Sequence, residues 1–399
     1  MITITSYLHR DRLRDLIRRW MYNDLHATDV EEITHLVYFN NAYISRYLPV
    51  FSELVFSCMF EGPFHTFKAR VKAHLKDVIV ENTPYRNPRV EAMLSAYRRK
   101  PGDFYRETPF HGTLYFSSGP DAYRYIGGSR IKRVRRLAEK SARRIIDWIY
   151  ANIEQHADRL AQDRARRMGI QLEALVTPPE DMVEEFVKSE RRLLQDLKNG
   201  RPITGDPPLI INDVAGVKVI VEDSERDRLL NRMAEAADCE LIEVEPHTGR
   251  YNAVNLTVKY RPDRESLTIP PLGKALSRLM QARGVSPGQA HRRFRDFVCS
   301  GESHVHVEVI VCNYQEMLES EIGRCMHEDR IVRQRLEQQY RGQLARNIEF
   351  LTRYLFAFPA SARLELAQLP IQLWNRYLPD YFDEVLQELF DIPAVEVLS

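Results

Sequence analysis

The 399-residue chain has little cysteine, no long apolar run and no surplus of either charge. Its five cysteines, Cys58, Cys239, Cys299, Cys312 and Cys325, are odd in number and never spaced C-x-x-C, which argues against a disulfide framework and a zinc cluster. A reducing cytoplasm is the expected setting. The N-terminus, "MITITSYLHRDRLRDLIRRW", carries charges every few residues where an export signal needs an apolar stretch, and no later segment reaches the ~18 apolar residues of a membrane span. With 57 basic and 56 acidic residues the formal net charge is only +1, so the molecule as a whole has no pull toward nucleic acid or membrane. Any basic surface must be local. No internal repeat or low-complexity tract stands out.

What is there is length for two or three packed units, if roughly 100 to 200 residues make a domain. Residues 1–128 read as a helical N-terminal region: "RDRLRDLIRRWMYNDL", "DVEEITHLVYFNNAYISRYLPVFSELVFSCMF" and "FHTFKARVKAHLKDVIV" space apolar residues by three and four. A Pro- and Gly-richer stretch over 87–128 closes it. Residues 129–176 read as one long basic helix and linker, its first half holding Arg130, Lys132, Arg133, Arg135, Arg136, Lys140, Arg143 and Arg144. A face of this kind is either solvated or binds RNA or phosphate, and Arg133, Arg135 and Arg136 are the candidate RNA contacts.

The period then changes. Within 177–330 a helix ends at Gly200, and "PLIINDVAGVKVIVED", "CELIEVEP", "YNAVNLTVKY" and "SHVHVEVIVC" form four strand candidates rich in β-branched residues. Between the first two lies a crossover helix with Ser224 as its expected cap. Residues 261–303 are too many for a hairpin loop and read as an insertion with its own helix. Residues 331–399 return to helical spacing. The expected class is α+β, a mixed sheet flanked by helical N-terminal and C-terminal regions.

Two acids interrupt these strands: Asp213 at the start of "NDVAGVKVIV" and Glu308 inside "HVHVEVIVC". Either one read alone is as well explained by a turn or a solvent-facing position. Cys325 and His327 in "CMHED" have no recognisable oxyanion or second ligand cluster beside them, and "YIGGSR" lacks the lysine of a phosphate loop.

Four blocks in order, "KSERRLLQDLKNG", "NDVAGVKVIV", "GRYNAVNLTV" and "VEVIVCN", resemble the signature blocks of the RelA/SpoT-type alarmone synthetase domain over residues 180–330. The resemblance implies a nucleotidyltransferase-like mixed sheet and a GTP pyrophosphokinase activity. ATP would give pyrophosphate to the 3′ hydroxyl of a guanosine or other nucleotide acceptor, with Mg²⁺ as the ion. It places Asp213 and Glu308 as metal ligands, Glu308 also as acceptor of the attacking hydroxyl's proton, and Lys188 and Ser189 at the start of a helix against the ATP phosphates. Lys218 stands where the family has an arginine, Tyr251 where a tyrosine stacks on the acceptor base, and Asn255 where a histidine closes the block. Two carboxylates suit this chemistry, because Mg²⁺ prefers oxygen ligands and phosphoryl transfer asks mainly for positioning and charge neutralisation.

The chain departs from the family pattern at Phe186, Ile310 and Cys312, where the family has Arg, Gln and Arg. The acceptor side thereby loses its polar groups. Three readings stay open: a pyrophosphokinase with an altered acceptor, including an RNA such as tRNA; an alarmone synthetase using other residues; and a catalytically degenerate synthetase fold that binds nucleotide or RNA as a regulatory module.

Overall fold

The computed structural model describes residues 1–84, 86–118, 123–205, 207–249, 251–337 and 340–392. They form an α+β fold around a seven-stranded mixed sheet. In chain order the strands are β1 (Ile2–Ile4), β2 (Phe64–Val71), β3 (Pro109–Ser118), β4 (Tyr123–Ile131), β5 (Leu209–Ile211), β6 (Ala215–Ile220), β7 (Cys239–His247), β8 (Ala253–Tyr260) and β9 (Val305–Cys312). The large sheet runs β2-β3-β4-β6-β9-β8-β7, antiparallel at every step except β6–β9, which is parallel. A separate parallel ladder joins β1 to β5.

Side-chain alternation decides which face of this sheet is core. In β9, Val305, Val307, Val309 and Val311 are wholly buried, and Ala215, Val217 and Val219 of β6 and Leu256 and Val258 of β8 lie with them. Helices Asn40–Ser57, Val134–Met168 and Gln343–Ala357 close this face through Phe51, Phe56, Leu137, Ile145, Ile149, Leu344 and Leu351. The opposite face alternates out of register with the core and carries Arg130, Gly216, Lys218, Glu308, Ile310, Cys312 and Asn255. A smaller apolar layer covers one end of it, where helices Lys72–Glu81 and Tyr314–Leu318 pack Leu75, Ile79, Tyr314 and Met317 against Ile220 and Cys312.

The N-terminal region is not wholly helical. β2 and β3 fall inside residues 1–128, and the expected boundary at 128 lies within β4. The misleading segment is "FHTFKARVKAHLKDVIV": Phe64, Phe67 and Val71 match a helical period, yet pairing with β3 draws the first eight residues into a strand, and the helix begins only at Lys72. The long helix likewise starts at Val134, so Arg130 and Lys132 precede it. The crossover helix, Arg226–Glu235, is preceded by Glu225, and Ser224 makes no capping bond there. The 261–303 segment holds three helices, Arg264–Thr268, Lys274–Ala282 and Pro287–Ser300. Residues 338, 339 and 393–399 of the expected C-terminal helical region lie outside the described residues. No helix among the described residues is long and apolar enough to cross a membrane.

Gly127 is where β4 needs a glycine. Its φ is 143°, and a Cβ there would meet the Lys218 carbonyl oxygen at 2.1 Å, so only a bare backbone lets β4 approach β6 this closely.

Candidate functional site

Five of the ten site residues expected from sequence, Asp213, Lys218, Tyr251, Asn255 and Glu308, lie on or beside the polar face at the centre of the sheet. Asp213 lies not in a strand but in the bend between β5 and β6, with Val214 and Ala215 fully buried beside it. Lys132, just past the end of β4, approaches its Oδ2 at 2.5 Å, and Lys140, on the second turn of the long helix, its Oδ1 at 2.8 Å. The strand pairing continues here, with the Lys132 amide donating to the Val214 carbonyl at 2.8 Å. Burial alone would raise the Asp213 pKa, but the two ammonium groups outweigh it and hold the carboxyl well below the usual range. Burial, with Lys140 and Arg130 adding to it and Asp213 opposing, brings Lys132 down to about 8.

Glu308 sits opposite Gly216 across the parallel β6–β9 pair. The missing side chain leaves the carboxylate room over the strand: a Cβ at Gly216 would lie 3.5 Å from Oε2. Arg130 Nη2 is 3.8 Å from that oxygen, which is buried and makes no hydrogen bond. Arg130 and Lys132 alternate with Ile131 and share a face, so β4 carries a cation toward each acid. Asp213 is thus matched by two lysines at close range, whereas Glu308 has only the more distant Arg130 guanidinium.

Lys218, two residues along β6 from Gly216, places its ammonium 4.0 Å from Glu321 and 5.9 Å from the centre of the Tyr251 ring. Tyr251 packs against the second apolar layer, where burial and the Cys312 thiol push its phenol far up. Asn255, on β8 opposite Ile310, has a buried Oδ1 without a hydrogen-bond partner. Ile310 and Cys312 join the apolar layer.

Lys188 and Ser189 are not part of this assembly. They lie in the middle of helix Pro179–Lys198, whose start is set by Pro179 and the acids of its first turn, and not at a helix N-terminus. Lys188 pairs with Glu184 at 2.7 Å, and Ser189 is buried against the long helix, bonding His156 at 2.9 Å and the Glu185 carbonyl at 2.7 Å. His156 is sixteen positions beyond Lys140 on that helix, a rise of about 24 Å. Arg133, Arg135 and Arg136 also have another neighbour. Arg136 pairs with Glu139, Arg135 approaches the same carboxylate at 3.8 Å and Arg335 at 3.0 Å, while Arg133 precedes the helix.

The sequence reading missed two sets of residues. Arg130, Lys132 and Lys140 were grouped with the basic helix, and only the β4–β6 pairing shows that they turn toward the acids. Beside them, Lys72 and Lys76 are buried with two glutamates: Lys72 lies 2.7 Å from Glu321 and 3.2 Å from Glu328, and Lys76 donates to the Glu321 carbonyl at 2.5 Å and to Cys325 Sγ at 3.4 Å. Their i, i+4 spacing on an apolar helix was the available signal.

No three His, Cys, Asp or Glu residues among those described group as a metal site. The donor set instead fits Mg²⁺ as it is commonly held by proteins, through one or two carboxylates with the remaining ligands from phosphate and water. The Glu308 oxygen, without a hydrogen bond and with only Arg130 at 3.8 Å, is the observation that favours it. Compared with known proteins, the chain matches no family model, no curated protein and no solved structure.

Proposed function

We propose that this face binds the polyphosphate of a Mg²⁺-nucleotide and that the chain acts as a divergent pyrophosphokinase of the RelA/SpoT type on a nucleotidyltransferase-like sheet. The carrying observation is that Lys132 and Lys140 hold Asp213 just before β6 while Arg130 of β4, two residues before Lys132, approaches Glu308 across the sheet, three cations beside two acids. Phosphoryl transfer is catalysed mainly by positioning and charge neutralisation, and these groups supply both. Lys132 and Lys140 would take up phosphate oxygens; Glu308 would accept the proton of the attacking 3′ hydroxyl as the hydroxyl oxygen bonds the β-phosphorus of ATP and the bond to the α-phosphate oxygen breaks, releasing AMP; Asp213 and Glu308 would hold Mg²⁺, which would supply further neutralisation. Tyr251 offers a ring face to the acceptor base, whose identity, a guanosine nucleotide or the 3′ end of an RNA such as tRNA, the resemblance leaves open.

Incubation with labelled ATP, Mg²⁺ and a panel of GTP, GDP, ATP, AMP and tRNA tests this. Transfer of label to one acceptor, reduced at least about 100-fold in Glu308→Gln, supports it. A second reading, nucleotide binding without transfer, is favoured by the pairing of Asp213 with two lysines. In that case no acceptor is labelled, yet ATP binding persists and weakens about tenfold in Lys132→Met. Absence of both transfer and binding overturns both readings.

A further inference from the structure

Lys72, at the start of helix Lys72–Glu81, is buried between Glu321 at 2.7 Å and Glu328 at 3.2 Å, and Glu321 also lies 4.0 Å from Lys218 of β6. These contacts tie the start of helix Met326–Leu336 to the polar face of the sheet, and the Tyr105 hydroxyl donates to Asp329 of the same helix at 3.2 Å. Glu328 is buried, while its neighbour His327 is exposed. The His327 imidazole is nevertheless shut in. Loss of solvation is the first cause that holds its pKa far down, and the charges of Arg130, Lys72 and Lys218 add to it, with Glu321 opposing. An exposed ring that is poorly solvated lines a recess, and here the recess is cationic.

Two of these cations are poorly matched. Arg130 reaches Glu308 only at 3.8 Å and Lys218 reaches Glu321 only at 4.0 Å, both beyond hydrogen-bond distance. The other acids beside the recess are engaged, Glu321 and Glu328 by Lys72 and Asp329 by Tyr105. Arg130 pairs with Gly216 and Lys218 with Gly128, so the two cations stand diagonally on one sheet face, roughly 7 Å apart at Cβ. A phosphate group spans such a gap.

We infer that the recess receives a phosphate group of the bound nucleotide, and that His327, which lies outside the four sequence blocks, contacts it together with Arg130 and Lys218. The inference rests on the nucleotide reading. The phosphate brings the close negative partner that Arg130 and Lys218 lack, and its arrival reverses the field on the imidazole, which takes up a proton and donates a hydrogen bond to a phosphate oxygen. Affinity is therefore greatest below the pKa of the bound imidazole and falls as the pH rises through it.

Calorimetric titration of the full chain with Mg²⁺ and α,β-methylene-ATP, which binds without transferring pyrophosphate, tests it in buffers of different ionisation enthalpy. Near neutrality the wild type should take up on the order of half a proton more than His327→Gln. Its affinity advantage over that variant should shrink from about tenfold near pH 6 to about twofold near pH 8. His327→Lys, charged throughout, should keep the affinity without the proton uptake. Because the ring is exposed, the fold survives each change, which circular dichroism verifies. Equal proton uptake by wild type and His327→Gln, or equal affinity, overturns the inference and leaves the nucleotide reading intact. Absence of any binding by the wild type overturns both.

Discussion

The Lys132 ammonium lies 2.5 Å from the Asp213 carboxylate, although 81 positions separate them and Asp213 holds a second lysine at 2.8 Å on its other oxygen. The contact closes the end of the β4–β6 pair. It also presents two cations and an acid at one point.

Lys132 therefore carries a pH signature. Burial lowers its folded pKa to about 8, below the 10.5 of an unperturbed lysine. Between those values the unfolded chain binds more protons, so the contribution of this residue to stability is absent below about 8 and grows as the pH rises toward 10.5. Denaturant titrations of wild type and Lys132→Met across this window should show the wild type gaining on the order of 1 kcal/mol relative to the variant. Parallel curves would remove the assignment.

Asp213 behaves in the opposite range. Its carboxyl is held below the usual values by Lys132 and Lys140, so its stabilisation is present above the unfolded pKa and is lost as the pH falls through the folded one. Asp213→Asn leaves two lysines facing each other without a counter-charge, which should cost roughly 2 kcal/mol near neutrality. The gap between variant and wild type should narrow steadily below about pH 4. A constant gap would mean that the loss is one of packing, not of charge.

Gly127→Ala probes the close approach of β4 that brings Lys132 to Asp213. The added methyl meets a backbone carbonyl at 2.1 Å and the backbone sits at φ 143°, so neither a rotamer change nor a small shift relieves it. A loss of about 3 kcal/mol or more is expected from thermal or denaturant unfolding. Gly62→Ala is a useful contrast: its φ is also positive, at 85°, but nothing lies within 4 Å of the added carbon, so its cost should be smaller.

The strands that frame Glu308 were readable because β-branched residues alternate with polar ones in β8 and β9, and a buried face leaves no other register for them. The outer strands β2 to β4 were not readable for a physical reason. Phe64, Phe67 and Val71 satisfy a helical spacing, and their strand conformation is set by pairing with β3, through the distant partners Ser117, Leu114 and Pro109. The site shows the same division. Asp213 and Glu308 stand out because each is an acid within or beside an apolar strand run, whereas Lys218, Tyr251 and Asn255 were singled out only by the resemblance. Arg130, Lys132 and Lys140 look like any basic helix until β4 is paired with β6. Lys188 and Ser189 matched a short motif whose required context, a helix start, is missing here.

Glu308 offers the sharpest separation of stability from function. A carboxylate oxygen buried on β9 without a hydrogen bond, with only Arg130 at 3.8 Å, gains little from the fold while paying for its desolvation. Its neighbours in the same strand, Val307 and Val309, show that valine suits the backbone. Glu308→Val should therefore raise unfolding stability by about 1 kcal/mol. On the proposed reading, Mg²⁺-dependent ATP affinity should fall about tenfold in the same protein, because Glu308 would be a ligand of the metal and is the counter-charge of Arg130. If the variant is less stable than wild type, Glu308 is a structural residue and its oxygen is satisfied by solvent; if it is more stable and binds ATP unchanged, the metal site lies elsewhere.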